Sequence, residues 1–369
     1  MRQRLAELVA TREGDVLAKF VFLTPCSADV QSAVHRVTYM EEQLSIQGHS
    51  TQTFFGKRGA LAGHPYTRVT LGAVVRCLCA LRDTDVLVVH RAGDPISALL
   101  ARIHKRLRGT LVFDIDDAVY LRWNILTTSV PEIVSMSDIV LVGSHTIADY
   151  CQRWNQNVHI LPSGADTSLF HPNARTRSDH ELTIGWMGDG RVHGENLELL
   201  LEPLLALAKE RRFRLKLVSS LGSPVIRDAF ARLARQVDVD FGSPHWMDIS
   251  AIPRMIRDFD ISVMPLLDNE FNRAKAGQKL IETMSMEIPV VASGVGENRH
   301  IVSHGVDGFL AYSADEWRSY LLELLDNPEL RHRMGRAGRR KVIEHYSKVS
   351  CARRFAELLR SQHGFLPVH

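Results

Sequence analysis

At 369 residues the chain exceeds what one hydrophobic core usually organises, so two domains are expected, and an apolar content of 45% can fill both. A formal charge of +3 gives no reason to expect nucleic acid or another polyanion as partner. No apolar run approaches the roughly 18–20 residues of a membrane span, and the polar start Met1-Arg-Gln-Arg is not that of a secretory signal. The five cysteines (Cys26, Cys77, Cys79, Cys151 and Cys351) show no metal-ligand spacing and read as free thiols in a cytoplasmic, reducing compartment.

Strand-length apolar runs recur at 18–24, 51–55, 85–90, 110–114, 138–142 and 158–161, with helical periodicity or loop signals between most of them. Residues 30–47 predict a helix closed by Gly48, and Ser144 is placed to cap a helix ending near Asn155. Residues 162–180, rich in Ser, Thr, Asp, Asn and Pro, read as a linker. A second series of strands follows at 182–187, 214–219, 237–241, 261–264, 289–293 and 309–311, and helices are predicted near 314–326, 328–345 and 347–362. Alternation of this kind predicts an α/β fold of two doubly wound parallel sheets, with ligands at the carboxyl ends of the strands, in the loops after Thr24, His90, Asp114, Met187, Ser219 and Met264.

Polar residues cluster at several of those ends. Lys275, Lys279 and Glu282, at i, i+4 and i+7, would share one face of a helix within about 60°, opposite Leu280, Ile281 and Met284. A short strand to Ser293, a tight turn Gly294-Val-Gly296 and a helix opening at Glu297 or Asn298 follow, and such a start favours anions. Two lysines beside it, with a carboxylate for a pair of hydroxyls, make a nucleotide diphosphate site; the plain alternative is an exposed salt bridge. Gly188-Asp-Gly190-Arg191 is a glycine-rich loop after a strand, by itself only a turn. Asp114-Ile-Asp116-Asp117 closes the fourth strand, and three carboxylates in four residues admit a metal reading, a capped strand end, or an acidic group for an acceptor hydroxyl. His90-Arg91 ends the third strand; Ser27, Arg36 and Tyr39 flank the first loop; Trp246 is placed either near a base or in a core.

The segment 275–299 resembles the donor-binding motif of family 4 glycosyltransferases, retaining enzymes whose two Rossmann-like domains face each other across a cleft in the GT-B arrangement. Leu161-Pro-Ser-Gly164-Ala-Asp166-Thr-Ser-Leu-Phe170, Ile184-Gly-Trp-Met-Gly188-Asp-Gly190-Arg191, Gly305-Val-Asp-Gly308-Phe-Leu and His345-Tyr346-Ser347 are similar to further segments of that family. The resemblance covers roughly residues 110–362 well and the first hundred residues loosely. It implies an acceptor-side domain at 1–165, a nucleotide-sugar domain at 166–345 and a final helix in 346–369 returning to the first domain.

The resemblance also implies donor contacts from Gly188, Gly190, Arg191, Lys275, Ala276, Gly277, Lys279, Glu282, Gly296, Glu297 and Asn298. Lys275, Lys279 and Arg191 would neutralise the diphosphate, and Glu282 would accept from the ribose hydroxyls. Asp116 would orient the acceptor hydroxyl or take its proton, with His90, Arg91 and Asp117 on the acceptor side. The implied reaction is transfer of a sugar, with retention, from a nucleotide-diphosphate sugar to a saccharide or glycolipid hydroxyl, with no metal and no other cofactor required. Three departures stand out: Ala274 where relatives often carry a glutamate, His193-Gly-Glu-Asn196 where they carry a lysine, and Ser27-Ala-Asp29 where they carry paired glycines.

Ala274 supports a rival reading, a non-catalytic scaffold of the same fold that assists another transferase. An epimerase of this architecture would need an acid/base pair that the donor motif does not show. The basic runs Arg2, Arg4, Arg12, Lys19 and Arg331, Arg333, Arg336, Arg339, Arg340, Lys341 read either as solvated faces or as peripheral contact with anionic lipid.

Overall fold

The computed structural model describes residues 17–56, 71–121, 127–174, 181–219, 224–242 and 249–361. The chain forms two compact units: one takes Met1–Gly164, Ala274–Ala276 and Lys348–His369, the other Ala165–Arg273 and Gly277–Ser347. In the first unit β1 (Lys19–Thr24), β2 (Ser50–Phe55), β3 (Val86–His90), β4 (Thr110–Ile115), β5 (Ile139–Val142) and β6 (Val158–Ile160) form a sheet in the order β2-β1-β3-β4-β5-β6, parallel at every pairing. Its inner strands are apolar on both sides, as in Val86-Leu-Val-Val89, because helices cover both faces. Helices Pro95–Arg106, Val130–Met136 and His145–Cys151 bury Ala98, Ile133 and Ile147 on one face. On the other, the helix over residues 31–46 and helix Lys348–Ser361 bury Val37, Leu44 and Phe355.

Helix Lys348–Ser361 is tied into this unit by Lys348 Nζ to Glu42 Oε2 at 2.9 Å, by Arg354 Nη2 donating to the Ile160 carbonyl at 2.9 Å, and by Phe355 against Phe20. Ser144 caps helix His145–Cys151, its Oγ accepting from Ile147 N.

In the second unit β7 (Thr183–Gly188), β8 (Arg214–Ser219), β9 (Asp238–Asp240), β10 (Ile261–Met264), β11 (Val290–Ser293) and β12 (Gly308–Ala311) form a parallel sheet in the order β12-β11-β10-β7-β8-β9. Each sheet therefore reverses its winding once, between β1 and β3 in the first unit and between β7 and β10 in the second. The loops at those two points are where an open α/β sheet leaves room for a ligand.

The structure corrects two expectations. Lys275 does not share a helix with Lys279 and Glu282, because the helix runs only over Gln278–Ser285 and begins after Gly277 in a left-handed conformation (φ 68°). A side chain at Gly277 would also meet Ile301 Cδ1 at 2.2 Å, so the chain breaks there and Lys275 belongs to the preceding loop. Nor is the C-terminal basic run one solvated face. On helix Pro328–Lys341 the guanidinium groups of Arg331 and Arg339 donate to the carbonyls of Leu325 and Phe170, and Lys341 Nζ donates to that of Ile301 at 2.8 Å. Arg333, Arg336 and Arg340 remain exposed; Arg2, Arg4 and Arg12 lie outside the described residues.

None of the described helices is long and apolar enough to cross a membrane. All five cysteines are free, four of them buried and Cys79 exposed. Burial pushes the thiols of Cys77 and Cys151 up to about 12. In the native protein at neutral pH a thiol reagent is therefore expected to titrate Cys79 rapidly and the others only after denaturation; rapid labelling of Cys77 or Cys151 contradicts this packing.

Helix Pro328–Lys341 approaches the Glu287 turn so closely that a Cβ on Gly335 would lie 2.2 Å from the Glu287 carbonyl oxygen. Gly335→Ala is expected to destabilise the second unit by about 1–3 kcal/mol, measured as a lower denaturation midpoint.

Candidate active site

At the winding reversal of the second sheet, β7 ends at Gly188 and helix Gly190–Glu198 begins two residues later, so the first amides of that helix lie at the carboxyl edge. Helix Gln278–Ser285 brings Lys279 to the same place. Its Nζ lies 5.6 Å from the centre of the Trp186 ring and 2.9 Å from where a Cβ on Gly188 would be. The indole face lies beneath the ammonium, and the missing side chain of Gly188 leaves room beside it.

One turn on, Glu282 is 2% exposed and its Oε1 accepts from Gln278 Nε2 at 3.2 Å. The sequence places this residue on a charged helix face; in the fold it is a buried carboxylate with few water neighbours.

The loop between β10 and that helix is shaped by buried amides. Asn196 Oδ1 accepts from Leu267 N and from Asn272 Nδ2, both at 2.8 Å, and Asn196 Nδ2 lies 3.1 Å from His193 Nδ1. His193 in turn meets Trp186 edge to face. These links fix 266–273 against helix Gly190–Glu198, and the sequence reading passed over Trp186, Asn196 and Asn272 as site residues. Nothing in their spacing marks them, since Asn196 and Asn272 meet across 76 residues.

Beside the loop, Gly296 adopts φ 52° and comes so near Arg273 that a Cβ would stand 2.4 Å from the Arg273 carbonyl oxygen, so only glycine fits this turn. Helix Asn298–Ile301 follows with Glu297 as its cap residue, and both Glu297 and Asn298 are buried. Asn298 Nδ2 donates to the Ser293 carbonyl at 3.1 Å, so its side chain braces the turn. The side chain of Arg191 and the whole of Trp246 lie outside the described residues. Lys275 and Ala276 are grouped with the first unit, where Ser144 Oγ donates to the Ala274 carbonyl at 2.9 Å. Ala274 itself is wholly buried in that unit's apolar core.

At the reversal of the first sheet a chain of hydrogen bonds joins β1, β3 and β4. Thr24 Oγ1 lies 2.9 Å from His90 Nδ1, His90 Nε2 lies 3.1 Å from Ser32 Oγ, and Ser32 Oγ donates to Asp116 Oδ2 at 2.8 Å. Because Ser32 has given its one proton to Asp116, a proton on His90 Nε2 and an acceptor at Nδ1 satisfy the whole chain, an assignment made from the network. His90 is completely buried, so its expected contact with an acceptor gives way to a bracing role. Arg91 Nε stands 2.7 Å from Asp116 Oδ1, and Arg91 Nη2 stands 2.8 Å from Asp117 Oδ2. Asp117 is the most exposed of these groups.

Burial by itself would raise the Asp116 carboxyl. The Arg91 guanidinium, the hydrogen bond from His90 and the charge of Arg36 outweigh it and hold the group well below the usual carboxylate range. Arg91 takes a left-handed backbone (φ 56°) and donates its N–H to the Asp114 carbonyl at 2.9 Å. A non-glycine residue held there is strained by about 1–3 kcal/mol, and at a strand end such strain marks a placed side chain. Beneath, Arg36 clasps Asp114 with Nε at 3.1 Å and with Nη2, while Nη1 donates to the Leu161 carbonyl.

The lowered Asp116 carboxyl adds stability that is present above the unfolded value near 3.8 and is lost as pH falls below it. Asp116→Asn, which leaves Arg91 without its nearest counter-charge, is expected to cost about 3–5 kcal/mol at neutral pH and to flatten the acid limb of a stability–pH profile. An unchanged acid limb would show that this carboxylate is not paired in solution.

The family profile described as "Glycosyl transferases group 1" matches residues 181–327. The MMP alpha-(1->4)-mannosyltransferase of Mycolicibacterium hassiacum is 26% identical over 228 residues, 60% of this chain and 52% of that protein. The chain spans about half the length of the curated relatives it matches. Among solved structures, a glycosyltransferase from Rickettsia africae superposes with a TM-score of 0.71 at 15% identity, covering 94% of this chain and 99% of that one. HepE of Anabaena, in complex with UDP and glucose, does so with a TM-score of 0.63 at 15% identity, over 93% of this chain and 100% of that one. At such identities the structural likeness speaks for the fold, the GT-B fold of two parallel six-stranded sheets.

Proposed function

We propose that this chain, which belongs to the group 1 glycosyltransferases, moves a sugar from a nucleotide-diphosphate donor to an acceptor hydroxyl with retention at the anomeric carbon. The single observation that carries the reading is Lys279, held over Trp186 and against Gly188 at the winding reversal of the second sheet, one helical turn from the buried Glu282. A diphosphate at that edge meets an ammonium and the opening amides of helix Gly190–Glu198, and both gain strength as negative charge grows on the leaving group. Glu282, poor in water neighbours, accepts from the two ribose hydroxyls.

No protein nucleophile is needed. The acceptor oxygen approaches the face that the diphosphate leaves, and its proton passes to a phosphate oxygen. Asp116 then orients the acceptor as a fixed anion through Arg91 and Asp117, because a carboxyl held so far below the usual range is a weak general base. Five unpaired thiols fit a cytoplasmic reaction, and the acceptor is a saccharide or glycolipid hydroxyl. The reading rests on Lys279 as the diphosphate cation and not on Lys275, which is grouped with the other unit.

Lys279→Ala and Glu282→Ala are expected to reduce transfer by at least about a hundredfold, on the order of 2.7 kcal/mol, with little change in melting temperature. Nucleoside diphosphates should stabilise the parent protein by about 2.7 kcal/mol at a hundred times their dissociation constant and Lys279→Ala far less. Full turnover by both variants would refute the site.

Ala274 favours a second reading. Its side chain lies in an apolar core where no carboxylate fits, so the donor sugar lacks the acidic partner that the resemblance leads one to expect. A non-catalytic nucleotide-binding scaffold would bind a nucleoside diphosphate and still release none from a panel of sugar nucleotides, with or without added acceptor.

A further inference from the structure

A chain of hydrogen bonds with a fixed direction ends on Asp116. It begins at the backbone amide of Cys26, which stands 3.2 Å from Thr24 Oγ1 and can only donate, and it ends at a carboxylate, which can only accept. Between those ends each proton has one consistent place. Thr24 gives its proton to His90 Nδ1 at 2.9 Å, His90 gives Nε2–H to Ser32 Oγ at 3.1 Å, and Ser32 gives its hydroxyl proton to Asp116 Oδ2 at 2.8 Å. Thr24 and His90 are completely buried, so the chain is shielded from bulk water there. Bonds aligned in this way polarise one another, and the row holds its last member more firmly than a single contact would.

The two oxygens of Asp116 are unequal. Oδ1 is sealed from solvent, with Arg91 Nε 2.7 Å away as its counter-charge. The 9% of the side chain that remains open therefore lies toward Oδ2, the oxygen that Ser32 holds. A carboxylate oxygen accepts two hydrogen bonds, so with Ser32 in place Oδ2 offers one direction to an incoming donor.

We infer that the acceptor hydroxyl donates to Asp116 Oδ2 and that Ser32 is the positioning residue that leaves it a single approach. Ser32 acts through the carboxylate: its one proton is already given, and the amide of Cys26, through Thr24 and His90, keeps it pointed that way. The incoming group has to bring a proton, which a sugar hydroxyl does and an ionised phosphate does not. This deepens the transfer reading above and rests on it for the identity of that group.

The test compares the parent with Ser32→Ala and Ser32→Thr. In protein labelled with 15N-histidine, the His90 ring of the parent, identified by its loss in His90→Gln, is expected to carry its proton on Nε2 and none on Nδ1. Ser32→Ala should flatten the acid limb of the stability–pH profile, because a carboxylate that loses a hydrogen bond to its charged form titrates closer to its unfolded value. Transfer to methyl glycosides, from a panel of sugar nucleotides that includes UDP-glucose and GDP-mannose, should fall in Ser32→Ala by about ten- to a hundredfold in kcat. The KM for the glycoside and the stabilisation by nucleoside diphosphate should stay close to the parent's, and Ser32→Thr, which keeps the hydroxyl, should recover the rate. A proton on His90 Nδ1 in the parent at neutral pH, an acid limb as steep in Ser32→Ala as in the parent, a loss in KM with kcat kept, or a Ser32→Thr as slow as Ser32→Ala at the parent's melting temperature would each overturn the inference. A parent that releases no nucleoside diphosphate from any donor fails the transfer reading; the His90 and acid-limb readouts need no substrate and report on the hydrogen-bond chain alone, so the two failures are distinct.

Discussion

A parallel sheet covered by helices on both faces leaves one place for polar chemistry, the ends of its strands. Everything functional in this chain follows from that constraint. Both sheets are apolar through their thickness, from Phe20 and Val88 in one to Ile184 and Val263 in the other. Side chains that carry charge are therefore displaced past the last hydrogen-bonded residue of a strand. Arg91 and Asp116 stand at such positions in the first unit, just past β3 and β4.

The two edges solve the same problem differently. In the first unit charge meets charge: Arg91 and Asp116 are largely buried and neutralise each other, and Arg36 and Asp114 repeat the arrangement one layer below. A buried ion of either sign alone would cost several kcal/mol, so each group needs the other. In the second unit the Lys279 ammonium lies over an aromatic face, 5.6 Å from the centre of the Trp186 ring.

Much of this was legible before any coordinates. All twelve strands lie where the strand-length runs predict, and the inner ones announce themselves because a strand buried on both faces admits few polar residues. The capping role of Ser144 and the break at Gly296 were equally readable, since each depends on neighbours a few residues away. What failed was of another kind. A helical wheel drawn through Lys275 assumes that the helix extends that far, and it stops at Gly277 because Ile301, distant in sequence, occupies the space a side chain would need. The run of arginines near the C-terminus read as one exposed face, yet half of it donates to carbonyls of other segments.

Local pattern thus determined the elements and their order, because hydrogen-bonding period and burial are written in consecutive residues. Tertiary structure alone decided that His90 is a brace and not a ligand group, that Glu282 is buried, that Ser32 reaches Asp116 across 84 residues and that Ala274 fills a core. Each of those outcomes turns on which distant side chain supplies a proton, a counter-charge or a volume. A chain met one residue at a time does not say which of its many candidates will be the neighbour.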